Sequence, residues 1–201
     1  MPPIVVRDLL EVVKVAKIIR IILTGISLSI YIFIISCASI SVSISAKDNP
    51  EIYDLIHSNK DFKKAIIYII RDKPSEALPL LHRSLNEASE TDKSVILPYI
   101  GYCYLELHNI NSADKYISIA IENNCKSDLC FQVLFCILLA NHKYNEIINL
   151  SDKLEIESNV FTGQYQYVAL AYKDLGDNDK YEIYLKKDKE HNPRGTMFTF
   201  F

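Results

Sequence analysis

Apolar and aromatic residues recur at helical spacing through the body of the chain. A small residue is followed three positions later by an aromatic one at three places: Ala65 with Tyr68, Gly101 with Tyr104, and Ala169 with Tyr172. Residues three apart lie on the same face of an α-helix, so each pair predicts an amphipathic helix rather than a strand. Nine residues after each aromatic comes the position expected to contact it from a second helix, at Ala77, Ala113 and Tyr181.

The predicted helix pairs repeat with a nearly constant period. Gly101, Phe135 and Ala169 are equally spaced along the chain, and the step from Ala65 to Gly101 is longer by two positions. The two extra residues fall in the polar loop NEASETDK, where insertions are tolerated. Because one helix pair cannot bury its apolar face alone, the pairs are expected to stack and share a core.

This pattern resembles the tetratricopeptide repeat, a helix–turn–helix unit of about 34 residues, which is also the step from Gly101 to Phe135. The resemblance covers residues 58–195 and implies an all-α solenoid of about four repeats, at about 58–91, 94–127, 128–161 and 162–195. In such a unit a small residue on the first helix makes room for the side chains of the second. In the third unit Phe135 replaces that small residue and Ile147 replaces an alanine, which leaves its helix packing distance open.

Both ends of the solenoid carry further segments. Asp48 or Asn49 precedes Pro50, a helix-start signature, so a short capping helix or an extension of the first repeat helix is expected there. The aromatic C-terminal tail, residues 196–201, is expected either to fold over the last helix pair or to dock on a partner.

An uncharged block precedes the repeats. No charged residue occurs between Arg20 and Lys47, which leaves 26 uncharged positions. Basic residues, an apolar run and then small residues form the outline of a secretory signal, here residues 1–37. The apolar run of about 15 residues, Ile21 to Ile35, is short for a membrane-spanning helix, which needs roughly 20. Residues 38–49 continue as a serine-rich tether.

The end of this block resembles a bacterial lipoprotein signal. Ile34-Ile35-Ser36-Cys37 has the aliphatic, small and cysteine positions of a lipobox, and the resemblance implies lipid attachment at Cys37. The alternatives are cleavage by an ordinary signal peptidase after Ala38 or Ala46, and an uncleaved N-terminal hydrophobic helix that anchors the chain. All three predict a cell-envelope location, with the body exported from the cytoplasm or tied to a membrane.

Composition and charge narrow the function class. Beyond the N-terminal block the chain carries 18 basic and 23 acidic residues, a net charge of about −5. A protein that is acidic and lacks a Lys/Arg stripe is a poor candidate for binding nucleic acid.

Catalysis finds little support in the sequence. The five histidines are dispersed, and His108 and His142 lie one repeat apart, at the position that Gly176 holds in the last unit, which indicates a role in a repeated turn. No metalloprotease, hydrolase or phosphate-loop motif occurs. We therefore expect no enzymatic activity, no cofactor and no metal, with an envelope hydrolase or transferase as a distant alternative.

Four cysteines remain after Cys37: Cys103, Cys125, Cys130 and Cys136. An even number permits disulfides in an exported protein. Cys125 and Cys130 flank a tight link between two predicted helices and could be bridged. A Cys103–Cys136 bond and four buried free thiols are the alternatives.

The repeat resemblance implies a concave peptide-binding groove lined by the first helix of each unit. It places these residues there: Ile66, Tyr99, Tyr102, Gln132, Cys136, Gln166, Tyr167 and Leu170. Such a groove is apolar with a few hydrogen-bonding groups, and suits an amphipathic helix or an extended peptide. The alternative is that several of these residues are core, or are covered by the N-terminal helix or a second copy.

The sequence therefore predicts a non-catalytic, membrane-tethered scaffold that binds a partner protein or peptide. The alternative function is a secretion chaperone that shields apolar segments of secreted proteins. The oligomeric state is left open by the sequence.

Overall fold

The computed structural model describes residues 50–158, 160–161 and 163–192, and in this part of the chain every regular element is an α-helix. The elements are α1 (Pro50–Ser58), α2 (Lys60–Ile70), α3 (Pro74–Asn86), α4 (Glu90–Glu106), α5 (Ile110–Glu122), α6 (Asp128–Ala140), α7 (Tyr144–Ile156), α8 (Gln164–Asp174) and α9 (Asn178–His191). The predicted all-α class is confirmed for these residues. The predicted hydrophobic helix, Cys37, the serine-rich tether and the C-terminal tail lie outside them.

None of the described helices combines the length and the apolar character needed to cross a membrane.

Most of the helix starts are determined by residues at or next to the first helical turn. In five of the described helices the residue before the first turn accepts a hydrogen bond through its side chain from a backbone N–H three positions on: Asn59, Ser89, Asn109, Ser127 and Asp177. Helix α3 begins at Pro74, whose missing N–H is not needed at the first helical position. Short polar side chains at these positions satisfy donors that a helix leaves unpaired.

Four helix pairs are closed by the same three-residue turn. Its middle residue has a positive φ in each case: 57° at Asp72, 57° at His108, 56° at His142 and 80° at Gly176. After α4, for example, His108 N–H donates to the Leu105 carbonyl at 2.9 Å and Asn109 N–H donates to the Tyr104 carbonyl at 2.8 Å. This pairing satisfies carbonyls at the helix end. The predicted turn role of His108 and His142 is confirmed.

The helices pack in a repeating order. Each second helix packs against its own first helix and against the first helix of the following pair: α3 lies on α2 and α4, α5 on α4 and α6, and α7 on α6 and α8. Helix α6 also contacts α4 and α8, while α9 pairs with α8 at the end of the described chain. This arrangement is consistent with an all-α helical repeat fold.

Gly101 sets the closest helix approach in the second pair. A Cβ atom at this position would lie 2.7 Å from Ile117 Cδ1 and 2.8 Å from Ile117 Cγ1. Ile117 lies on α5 and is fully buried. Glycine is therefore the residue that lets the Ile117 side chain lie against the α4 backbone.

The third pair is built differently. Phe135 on α6 and Ile147 on α7 are both fully buried, and α6 and α7 are in less extensive contact than the helices of the other pairs. The Phe135 ring contacts the Phe161 and Tyr167 rings edge-on, with centroids 5.1 and 5.6 Å apart. Large side chains thus fill the space that small residues close in the second pair.

Helix α1 is a separate short helix that packs on α2 and α4. Asn59 divides it from α2, and Leu55 is its buried residue. The expectation of a short helix ahead of the first pair is confirmed.

Candidate peptide-binding face

Equivalent positions of successive first helices carry the predicted groove residues. One position is shared by α2, α4, α6 and α8, where it is held by Ile66, Tyr102, Cys136 and Leu170. These four residues have the same spacing along the chain as the four turn residues with positive φ. Tyr99 and Tyr167 share a second position, and Gln132 and Gln166 share a third. We call these eight residues the first-helix face.

Solvent exposure divides the first-helix face into two parts. Five members are buried, with at most 5% of each residue exposed: Ile66, Tyr99, Tyr102, Cys136 and Tyr167. Gln132, Gln166 and Leu170 are half-buried. A ligand that docks without rearranging the helices could therefore contact only the half-buried members, which lie on α6 and α8. The assignment of the eight residues to a groove stays a prediction.

Glu106 adds a carboxyl group to the face that sequence reasoning did not select. It lies one turn after Tyr102, whose hydroxyl donates a hydrogen bond to it. Burial raises the pKa of Glu106, the Tyr102 hydrogen bond lowers it, and the nearby Asp72 carboxylate raises it. Burial and the Glu106 charge both raise the pKa of Tyr102, so its phenol remains a donor. The signal that could have found this pair is the spacing of four residues on one helix.

Cys136 and Tyr167 form a neutral hydrogen-bonded pair between α6 and α8. The Cys136 Sγ atom donates to Tyr167 Oη at 3.4 Å. Burial raises the pKa of Cys136 to about 12 and raises that of Tyr167 well above its usual value. Both groups are therefore protonated at neutral pH. They offer polarity without charge, which suits recognition better than nucleophilic chemistry.

The glutamines of α8 have different roles although they are two residues apart. Gln164 is fully buried, and its Nε2 donates to the Ser151 carbonyl at 3.2 Å and to Ser151 Oγ at 2.9 Å. Gln164 thus ties α8 to α7. Gln166 is half-buried, and its Oε1 atom accepts no hydrogen bond within the described residues. The same holds for Gln164 Oε1, and both oxygen atoms are buried, so neither is open to a ligand without a rearrangement of the helices.

Tyr99 lies at the opposite end of the face, next to α1. Its ring meets the Phe62 ring edge-on at a centroid distance of 5.4 Å, and burial raises its pKa to about 12. It borders a cavity of about 440 Å³ between α1, α4 and the α5–α6 loop. The cavity is lined by Pro50, Glu51, Ile52, Ser94, Val95, Tyr99, Asn124, Cys125, Lys126, Ser127 and Leu129.

The four cysteines of the described residues are buried free thiols. Cys125 and Cys130 are hydrogen-bonded to each other across the α5–α6 loop. The Cys130 hydrogen bond lowers the pKa of Cys125 to about 6, and the same interaction raises the pKa of Cys130. Burial raises the pKa of Cys103. The structure brings the two predicted bridging residues together, and the disulfide itself stays a prediction.

Within residues 50–158, 160–161 and 163–192, no three His, Cys, Asp or Glu side chains are grouped in a way that could hold a metal ion. No protein-family model matches the chain, and no curated protein matches it.

Proposed function

We propose that the chain is a non-catalytic, membrane-tethered scaffold whose tetratricopeptide-like solenoid binds a peptide or helix of a partner protein. The observation that carries this proposal is the first-helix face, where successive first helices present aromatic, aliphatic and uncharged polar side chains at equivalent positions. Its half-buried members Gln132, Gln166 and Leu170 provide the accessible part. Such a surface suits an apolar segment more than a charged one.

The regularity of the fold supports the tetratricopeptide-like assignment. The left-handed turn residues recur at positions 72, 108, 142 and 176, and each second helix packs on the next first helix. The contact between Gly101 and Ile117 is the small-residue approach that the repeat resemblance implies. The concave form of the face follows from this assignment and belongs to the proposal.

Three groups define the chemistry of the expected ligand. Leu170 favours an apolar side chain, and the half-buried Gln166 side chain offers an uncharged polar contact beside it. The Glu106 carboxylate, close to Tyr102 and Cys136, favours a basic residue nearby. An apolar segment with one lysine or arginine meets all three requirements.

The N-terminal segment supplies the second half of the proposed function. A lipid on Cys37, or a retained hydrophobic helix, would hold the body at a membrane of the cell envelope. Tethering raises the effective concentration of the binding face for partners at the same surface. Intact mass of the membrane-extracted chain tests this part, since acylation at Cys37 gives a shortened chain with added lipid mass.

Site-specific photo-crosslinking in the native cell tests the binding face. Benzoylphenylalanine is placed at Leu170 or Gln132, and at Glu182 on the exposed side of α9 as a matched control. We expect discrete crosslinked partners at the first two positions and none of them at Glu182. Identical crosslinks at all three positions, or none at Leu170 and Gln132, would contradict the proposal.

A further inference from the structure

The loop between α5 and α6 places two thiols together at the wall of a cavity. Asn124 in this loop has a φ of 57°, and Cys125 N–H donates to the Ala120 carbonyl at 3.0 Å. The backbone thereby reverses directly after α5. Cys130 lies in the first turn of α6, and the two thiols are hydrogen-bonded.

Ser127 connects both cysteines. Its hydroxyl oxygen accepts a hydrogen bond from the Cys130 backbone N–H at 3.3 Å and lies 3.3 Å from Cys125 Sγ. Either atom can be the donor when Cys125 is a thiol, and the Ser127 hydroxyl can donate to Cys125 when it is a thiolate. A thiolate at this position accepts hydrogen bonds from Ser127 and from the Cys130 thiol, and lies near the N-terminus of a helix.

The two thiols differ in access. Cys125 is 7% exposed and lines the cavity of about 440 Å³, whereas Cys130 is fully buried behind it. The charged groups around the cavity are Glu51 of α1 and Lys126 of the loop, and Tyr99 faces it from α4. Glu51 raises the pKa of Cys125, but less than the hydrogen bonds of Cys130 and Ser127 lower it.

We propose that Cys125 and Cys130 form a redox-active dithiol, in which Cys125 reacts with a small-molecule disulfide in the cavity and Cys130 resolves the product. This inference does not depend on the peptide-binding function.

The reaction is a thiol–disulfide exchange in two steps. The Cys125 thiolate attacks one sulfur of the small disulfide, the S–S bond of that molecule breaks, and one small thiolate leaves. The Cys130 thiol then loses its proton to the departing thiolate and attacks Cys125 Sγ, which displaces the second small thiolate. The two protein thiols lose two electrons, and the disulfide is reduced to two thiols. The final S–S bond of about 2.05 Å needs a local closure between groups already in contact.

The position of the pair gives this chemistry selectivity over the other described cysteines. Cys103 and Cys136 are buried, and burial raises the pKa of each. Neither lines the cavity. Reaction with a small disulfide should therefore occur first at Cys125.

The test uses the full chain, reduced and purified in a non-ionic detergent, with oxidised glutathione as the probe. Products are mapped by mass spectrometry of unreduced peptides after blocking free thiols. We expect a Cys125–Cys130 cross-link with two glutathione molecules released. Cys130→Ala should stop at a glutathione adduct on Cys125, Cys125→Ala should not react at Cys130, and Cys103→Ala should behave as the native chain.

The pH dependence of alkylation by iodoacetamide gives a second measurement. In the native chain the rate at Cys125 should rise to a plateau with a midpoint near 6. In Cys130→Ala the midpoint should move toward that of an ordinary cysteine, about 8.5, because the donor is lost. Circular dichroism confirms that each variant is folded. A native chain that accumulates glutathione on Cys125 while Cys130 stays free would overturn the proposal, as would identical alkylation profiles for native chain and Cys130→Ala.

Discussion

The contact between Gly101 and Ile117 allows a test of how the second helix pair is held together. Alanine at position 101 would place its Cβ 2.7 and 2.8 Å from two carbon atoms of Ile117, well inside ordinary contact distance. Overpacking of this kind costs about 1–3 kcal/mol. Alanine is also favoured over glycine inside a helix by about 0.5–1 kcal/mol. The net expectation for Gly101→Ala is a loss of about 1–2 kcal/mol of folding free energy.

The effect of Gly101→Ala on stability should change sign in a chain that also carries Ile117→Ala. Both close atoms belong to the Ile117 side chain, and the next neighbour, the Ala113 carbonyl oxygen, would lie at an ordinary 3.5 Å. Ile117→Ala alone should cost about 2–5 kcal/mol, because the residue is fully buried. With that side chain gone, Gly101→Ala should stabilise the chain by about 0.5–1 kcal/mol through helix propensity.

Urea unfolding of the four chains, followed by far-ultraviolet circular dichroism in one detergent condition, measures the cycle. The coupling between positions 101 and 117 should be about 1.5–3 kcal/mol, and the urea dependence of the free energy should stay constant. If Gly101→Ala had the same cost in both backgrounds, the contact with Ile117 would not be what excludes a side chain at position 101.

Three further perturbations address the turns, the carboxyl group and the buried amide. Gly176→Ala should cost about 1–2 kcal/mol of folding free energy, because its φ of 80° is left-handed; the loss is conformational, since no atom lies within 4 Å of an added Cβ. His108→Gly should stabilise the chain by up to about 1 kcal/mol, because glycine adopts the φ of 57° without strain. Thermal melts that show the opposite order of stabilities would refute this account of the turns. Burial raises the pKa of Glu106, so the stability that is present below its unfolded pKa is lost as the pH rises through its folded pKa. Glu106→Gln should therefore be more stable than the native chain at neutral pH, and this advantage should disappear in acid. A constant difference across a pH series would argue against burial of that carboxylate. Gln164→Ala should cost about 2–4 kcal/mol of folding free energy, because it leaves a cavity and removes a buried hydrogen bond. Gln166→Ala, at a half-buried position, should cost less than about 1 kcal/mol. Equal costs in urea titrations would contradict the separate roles of the two glutamines.

The described fold could largely be predicted from the sequence, because the residues that determine its helices and turns lie close together along the chain. Spacing between small and aromatic residues located the helix pairs, and the recurrence of His108, His142 and Gly176 located their turns. Short polar residues such as Ser127 and Asp177 mark helix starts by the hydrogen bonds that they make within one turn. Each of these signals acts over a few residues, so no knowledge of tertiary contacts is needed.

The burial of the side chains on the first-helix face could not be predicted in the same way. Helical period places Tyr99 and Tyr167 on one face, but it does not show that Phe62 and Phe135 pack against them. The contact of Gln164 with α7 likewise depends on a residue thirteen positions earlier in the chain. Periodicity gives the direction of a side chain, whereas burial depends on what the neighbouring helix places beside it.

The bulky third helix pair has a consequence for the motions of the stack. Helices α6 and α7, which bury Phe135 and Ile147, are in less extensive contact than the helices of the other pairs, so this pair has less backbone-to-backbone contact to resist bending. Amide hydrogens of α7 should therefore exchange with solvent sooner than those of α5. Helix α7 also packs on α8, so this pair adjoins both helices that carry the accessible part of the first-helix face. A bound segment that spans α6 and α8 would restrain bending of the pair, and its affinity would include the free-energy cost of that restraint.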